Sequence, residues 1–435
     1  PDASKPTTTV NITYLVGSRH ENYGETGMAH LLEHMVFKST TSRSNIFEDL
    51  GKRGMDFNGT TSYDRTNYYE TFPANAENLK WALEMEADRM VNCLITRKDL
   101  DTEFSVVRNE MESGENSPIR TLWQRMTAAA FDWHNYGKST IGARSDVENV
   151  KIENLQNFYR KYYQPDNAVL LVAGKFDPTS TLEQIQKAFG GIAKPTRVLE
   201  PTYTQDPVQD GEREVTIRRT GDTQISAVFY HTPRGSHEDS GAVAALSEVL
   251  ASTPNGRLHK NLVEKKLAVS IMNLNMGLAE GGYVLFFAEL NKTQSLQQAR
   301  LALLQELEGL REKPVTEEEL KRAKDSLLSE IDSIINDPQQ LAVQLSESIA
   351  KGDWRLFFLQ RDRIENLKLA DLQSAGLNYF KESNRTLGQF IPTATPDRIK
   401  MPEAVDVAKL VADYKGKAAA SEGEVFDISP ANIEK

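Results

Sequence analysis

Two stretches of this 435-residue chain repeat one another at a nearly constant separation, and the repeat narrows the folds open to it. Leu155-Gln156 stands twelve residues before Asn167, and Leu372-Gln373 stands twelve before Asn384. A charged helical segment precedes each pair and a strand-like run follows it, Ala168–Ala173 in one copy and Thr386–Ile391 in the other. Thr96, Leu100 and Glu110 recur with the same spacing as Thr316, Leu320 and Glu330, inside a helix-start pattern of threonine followed by acidic residues. The offsets are 217 and 220 residues. A chain of this length is long for one hydrophobic core and suited to two. The expected fold class is therefore α+β, two duplicated domains, each a mostly antiparallel or mixed β-sheet packed against helices. The divisions expected are a first domain at residues 1–195, a Pro-rich linker at 196–211, a second homologous domain at 212–400, and a tail or linker at 401–435.

The formal net charge of −11 argues against nucleic acid as a partner, because phosphate binding needs a concentrated basic surface. A basic or unfolded polypeptide is the more natural guest. No run is long and apolar enough for a membrane span. Cys93 is the one cysteine, so no internal disulfide forms, and it reads as a buried, inert thiol. The chain opens on Pro1 without a visible signal peptide, as if trimmed, and the alternation Val10, Ile12, Tyr14, Val16 already reads as a strand. From about Ala418 to Lys435 the composition is that of a linker or docking tail.

Chemistry concentrates in His30-Leu31-Leu32-Glu33-His34. Met28, Leu31, Leu32, Met35 and Val36 surround these residues at helical spacing, after the turn Gly24-Glu25-Thr26-Gly27. On a helix, His30 and His34 project from one face about a turn apart and can converge on a single ion. Glu33 then stands beside the metal, where a general base belongs. A carboxylate as third ligand would leave a fourth position open for water, and zinc lowers the pKa of such a water to roughly 7. The bland alternative is a chance pair of solvated or core histidines; HxxEH arises by accident in on the order of one such chain in a hundred. The second copy, around Leu246–Pro254, carries no histidine pair.

With this motif the chain resembles the pitrilysin/insulinase-like zinc metallopeptidases, the inverzincins, of the bacterial processing-peptidase-like type. Their signature places a metal-binding glutamate about 75 residues after the second histidine, which the resemblance carries onto Glu110 in Val106-Val107-Arg108-Asn109-Glu110-Met111. A family glutamate seven residues earlier matches Glu103, which would orient a ligand histidine. Gly17-Ser18-Arg19-His20-Glu21, Met35-Val36-Phe37-Lys38-Ser39-Thr40, Gly142 and Tyr162-Tyr163-Gln164-Pro165-Asp166-Asn167 look like further landmarks. The family's Asn-Ala-x-Thr edge strand matches Asn58-Gly59-Thr60-Thr61, with glycine in place of alanine, so Asn58 is expected to bind substrate laid along that edge.

The resemblance implies a half-clamshell fold, one Zn2+ per chain held by His30, His34 and Glu110, Glu33 as the catalytic base, and extended or unfolded peptides as substrates. The chain also departs from the family. Where the family's arginine and tyrosine are expected, Val263 and Val269 stand, which implies a second half-clamshell supplying that pair: a partner subunit, a dimer mate or the downstream half of a longer chain. The stretch before Val10 is also shorter than the family's opening strand. The bacterial periplasm or cell envelope is the compartment implied. The alternative function is a non-catalytic structural or chaperone-like subunit of the same fold. His20, His134, His231, His237 and His259 show no ligand spacing and read as surface or locally hydrogen-bonded residues.

Overall fold

In the computed structural model, which describes residues 1–417, 423 and 427–434, the alternation at the start of the chain becomes β1 (Thr7–Tyr14), with Val10, Ile12 and Tyr14 on one face. β2 (Asp56–Thr61) and β3 (Thr66–Pro73) form a hairpin, β3 pairs antiparallel with β1, and β4 (Ala168–Gly174) pairs antiparallel with the other side of β1. The order β2-β3-β1-β4 leaves β2 at an edge. The principal helices of this half are α1 (Met28–Met35), α2 (Ala76–Asn92), α3 (Arg97–Glu115), α4 (Pro118–Ala130) and α5 (Ile152–Tyr162). Leu31 and Leu32 of α1, Leu83 of α2 and Leu155 of α5 fill the core over the Val10–Ile12–Tyr14 face.

The second sheet runs β5 (Arg213–Arg219), β9 (Arg385–Pro392), β6 (Thr223–Thr232), β8 (Gly282–Asn291), β7 (Ser270–Gly277), with β5 parallel to β9 and every other pair antiparallel. Its principal helices are α6 (Ser240–Ala251), α7 (Leu296–Glu308), α8 (Glu317–Asn336), α9 (Pro338–Ala350) and α10 (Leu369–Tyr379). The duplication expected from the repeat is thus visible as an order of elements. β1-α1-β2-β3-α2-α3-α4-α5-β4 is followed, after β5, by β6-α6-β7-β8-α7-α8-α9-α10-β9. The caps repeat as well. Thr96 and Thr316 accept from Asp99 N and Glu319 N at the starts of α3 and α8, and Ser117 and Asp337 cap α4 and α9, each ahead of a proline.

The two copies exchange a helix. α4 belongs to the first half but lies on β5, β6 and β9, where Leu122, Met126 and Ala130 pack with Ile225, Ala227, Phe229 and Phe390. α9 belongs to the second half but lies on β1, β3 and β4, where Leu345 and Ile349 pack with Leu15, Val169 and Leu171. β1 is consequently buried on both faces, and its polar residues find partners on α9: Asn11 Nδ2 donates to Ala342 O at 3.1 Å and to Ser346 Oγ at 2.9 Å, and Thr13 Oγ1 donates to Ser346 Oγ at 2.8 Å.

Residues Pro1–Ala394 make one compact unit, and Thr395–Lys435 a second that holds the short helices Val407–Val411 and Pro430–Ile433. Half of the tail expected from Ala418 to Lys435 lies outside the described residues. Among the described residues no helix is long and apolar enough to cross a membrane. The exchange generates a test of the proposed linker at 196–211, most of which is exposed. A proteolytic cut within it is expected to leave both fragments co-eluting in size-exclusion chromatography at native pH. Separation of the fragments without denaturant would overturn the exchange.

Candidate metal centre

α1 is anchored before it begins. Gly27 adopts φ +89°, and a Cβ there would lie 2.5 Å from Ile141 O, so only glycine admits this entry into the helix. The buried Glu21 carboxylate accepts from Gly27 N at 3.0 Å and Ala29 N at 2.8 Å, satisfying amides that the first turn of a helix leaves open. The helix ends at Met35, earlier than the apolar run to Phe37 suggests.

His30 and His34 project from one face of α1 with ring centroids 4.8 Å apart. Glu110, near the end of α3, comes up to both: its carboxylate lies 3.5 Å from His30 Nε2 and 3.8 Å from His34 Nε2. One donor atom from each of the three residues falls within 4.8 Å of the others. These separations are long for hydrogen bonds, whereas ligand atoms about 2.0–2.1 Å from a tetrahedral zinc stand about 3.3–3.4 Å apart. Two imidazoles and a carboxylate also match zinc's donor preference, so the three residues fit such an ion.

Glu103, two turns before Glu110 and buried, faces the other side of His34: its Oε2 lies 3.2 Å from His34 Nδ1. The Lys38 ammonium pairs with its second oxygen. Burial alone would raise the Glu103 pKa, but the His34 and Lys38 hydrogen bonds outweigh it and hold the carboxyl below the usual range. An ionised Glu103 accepts from Nδ1–H and leaves Nε2 free toward Glu110. Burial disfavours charge on His34, yet the Glu103 hydrogen bond and the charges of Glu110 and Glu33 outweigh it and raise its pKa. Burial, with His34 as neighbour, brings His30 down to about 4.

Glu33 lies on the sheet side of α1, 9% exposed, and burial pushes its pKa up, partly offset by a hydrogen bond from Thr61 and the charges of His34 and Arg65. Thr61 Oγ1 donates to Glu33 Oε2. A Cβ on Gly59 would lie 3.0 Å from both Glu33 Cγ and Phe37 Cε2, so the glycine lets β2 come close to the helix. Asn58 also belongs to β2, opposite Tyr69 in register; strand alternation turns it from the face of Gly59 and Thr61, yet it lines the same cavity as Glu33 and His34. Beside the three donors a cavity of about 360 Å³ is lined by Phe37, Phe47, Phe57 and Val106, with Lys38 and Asn45 at its polar part.

The site residues named from sequence come together here, Asn58 at the rim. Sequence spacing missed Lys38, Thr61, Glu21 and Arg65. The first three stand inside segments singled out only as family landmarks, and Arg65 carried no signal at all.

The sequence profile described as Insulinase (Peptidase family M16) matches residues 1–144, and the one described as Peptidase M16 inactive domain matches residues 149–327. The zinc protease PqqE of Helicobacter pylori is 31% identical over 386 residues, 87% of this chain and 86% of the relative. The chain belongs to the insulinase family of peptidases. The crystal structure of a protease from Helicobacter pylori superposes with TM-score 0.85 at 28% identity, over 90% of this chain and 96% of that one. The periplasmic protease PqqL of Escherichia coli shares the fold with TM-score 0.72 at 20% identity, over 99% of this chain and 50% of that one. The profile of the inactive domain begins at the end of the first half, runs through much of the second and does not include His30 or His34.

Proposed function

We propose that this member of a peptidase family is a zinc-dependent endopeptidase acting on extended or unfolded polypeptides, with one Zn2+ per chain held by His30, His34 and Glu110. The observation that carries the reading is the convergence of those three donors within 4.8 Å, next to a buried Glu33 that is not among them. Zinc bound there supplies Lewis acidity toward water and toward the scissile carbonyl. The chain's own residues do the rest. Glu103, fixed by Lys38, holds the His34 ring in place. Glu33, its pKa raised by burial and its carboxylate steadied by Thr61, takes a proton from the attacking water and returns it to the leaving amine. The free edge of β2 offers main-chain groups to an extended peptide, and Asn58 at that edge is positioned to meet a substrate carbonyl. The aromatic cavity beside Glu33 fits an apolar side chain next to the cleaved bond.

The alternative of a non-catalytic subunit draws support from the inactive-domain match, but that match, residues 149–327, includes none of His30, His34 and Glu110, which converge in the first half. The cell envelope is the compartment we propose, in keeping with a fold neighbour described as periplasmic.

Glu33→Gln is expected to retain zinc, measured by atomic absorption, while peptide turnover falls by about 10²–10⁴-fold. Loss of the metal would make Glu33 a ligand, and retained turnover would remove it as the base. Zinc binding is expected to be proton-linked with a defined sign. The raised pKa of His34 means that as pH falls below that value a proton competes for the ring, so apparent affinity drops by about tenfold per pH unit, and His30 adds a second proton only near pH 4. Chelator competition between pH 8 and pH 5 reads this, and a flat profile contradicts ligation by His34. A second half-clamshell carrying the missing arginine and tyrosine is also proposed, supported by the match of this chain to about half of the Escherichia coli protein. The chain alone should cleave a casein-derived peptide far more slowly than the assembled pair, and full activity from a verified monomer counts against this.

A further inference from the structure

The second half lacks a metal helix, yet it grips the strand that meets Glu33. The β2–β3 hairpin turns at residues 62–65, closed by Ser62 N donating to Arg65 O at 2.9 Å. Two consecutive buried charges in that turn, Asp64 and Arg65, both reach the second half. Asp64 Oδ2 accepts from Ala279 N at 2.9 Å in the β7–β8 turn, while its Oδ1 accepts from Arg19 Nε at 2.6 Å and from Tyr136 OH at 2.8 Å. Arg65 Nε donates to Glu347 Oε1 on α9 at 3.0 Å, and its Nη2 reaches the same oxygen. The remaining nitrogen, Nη1, turns back into the first sheet, donating to Thr60 O at 2.8 Å and Asn67 Oδ1 at 2.7 Å and touching the Thr60 hydroxyl.

One guanidinium therefore ties the last residues of β2 to a helix lent by the other half. Its geometry is restrictive, because one planar group whose Nε and Nη2 share Glu347 Oε1 while Nη1 serves Thr60 and Asn67 limits where Thr60 can stand relative to Glu347. Thr61 follows directly and donates to Glu33 on the opposite face of the strand. A shift of β2 along or away from α1 would move that hydroxyl off the carboxylate. Gly59 leaves no slack in the other direction, since the strand already stands against Glu33 Cγ and Phe37.

We infer that Arg65, held by Glu347, is a positioning residue for the cleavage reaction, setting where the end of β2 stands against Glu33 and so giving the catalytically silent half a part in the step. The inference rests on the reading of Glu33 as the base. An ion pair that only stabilised the fold would change the melting temperature and leave kcat alone. A positioning pair changes kcat at full zinc occupancy, because an ångström-scale displacement of a reacting group is costly.

The experiment compares Arg65→Met, Arg65→Lys, Glu347→Gln and the double variant Arg65→Met/Glu347→Gln, each loaded with zinc and assayed on one fluorogenic peptide in the assembly that gives the unaltered protein its activity. The expected result for Arg65→Met is an unchanged zinc content, a kcat lower by about tenfold or more and a smaller change in KM. Arg65→Lys should recover part of the loss, and the double variant should be no slower than Arg65→Met, since the two side chains act as a unit. Amide hydrogen exchange over residues 56–61 should quicken in Arg65→Met and Glu347→Gln while exchange in α1 stays as it was. Kinetics within twofold of the unaltered protein, or unaltered exchange over 56–61, would overturn the inference. Should Arg65→Met fail to fold, Glu347→Gln, which keeps volume and removes the charge, gives the same two readouts. The reading of Glu33 fails separately, through turnover by Glu33→Gln. The exchange measurement needs no turnover and still judges the grip of Arg65.

Discussion

The exchange of helices between the two sheets is the constraint on which the rest of the molecule depends. A sheet with one covered face normally leaves polar side chains of its central strand to solvent. Here α9 crosses onto β1 and α4 crosses onto β6, so both central strands are buried on both sides. The two sheets solve the second face differently. Ile225, Ala227 and Phe229 meet α4 with apolar surface, whereas Asn11 and Thr13 meet α9 through hydrogen bonds and Asn67 donates in turn to Asn11. The polar solution is directional, because an amide or a hydroxyl left without its partner in the interior costs about 1–3 kcal/mol. It fixes where α9 lies, and Glu347 on that helix in turn fixes Arg65.

Much of this was legible in the sequence, for reasons that also mark the boundary. The repeat of Thr96, Leu100 and Glu110 as Thr316, Leu320 and Glu330 reflects a local requirement, a capped helix start with its apolar face at fixed spacing, and local requirements survive duplication. HxxEH was legible because four residues on a helix make a geometric statement by themselves. The role of Asn11 was not. Alternation at Val10, Ile12 and Tyr14 reports that one face of β1 is buried and is silent about the other, which is covered by a helix more than 300 residues away in sequence. Arg65 was invisible for the same reason, since its meaning comes from Glu347, 282 residues later.

The metal centre shows the same division between local and distant control. His30, His34 and Glu33 ride on one short helix whose orientation is set close by, by Glu21 and by the tight approach of Gly27 to Ile141. Glu110 and Glu103 come from a second helix, and their two-turn spacing lets one carboxylate face the donors while the other, with Lys38, fixes an imidazole ring. The proposed base is different. Glu33 is buried with its hydroxyl partner on β2, and β2 is an edge strand, paired on one side only. An edge proposed to receive a peptide has to stay open, and an open edge is the part of a sheet least restrained by its neighbours. A clamp at the hairpin turn restrains the strand without covering its free edge, and that is where Asp64 and Arg65 are held.

Why only one half carries the candidate metal donors follows from how its counterpart helix is packed. α1 has eight residues, two of them histidines turned toward α3. α6, in the same place in the second order of elements, has twelve residues, with Ala242, Val243, Ala245, Leu246, Val249, Leu250 and Ala251 all buried. A helix apolar nearly all round is a core element, and polar ligands on it would have to be buried without partners. Glu330, the counterpart of Glu110, stays exposed on α8 with no histidine to meet. The second copy has thus put into packing the helix that the first keeps partly open. α6 packs on β7, the strand that leads into the turn whose Ala279 N holds Asp64, so the burial that leaves no place for metal donors on α6 also supports one of the contacts that hold the β2–β3 hairpin.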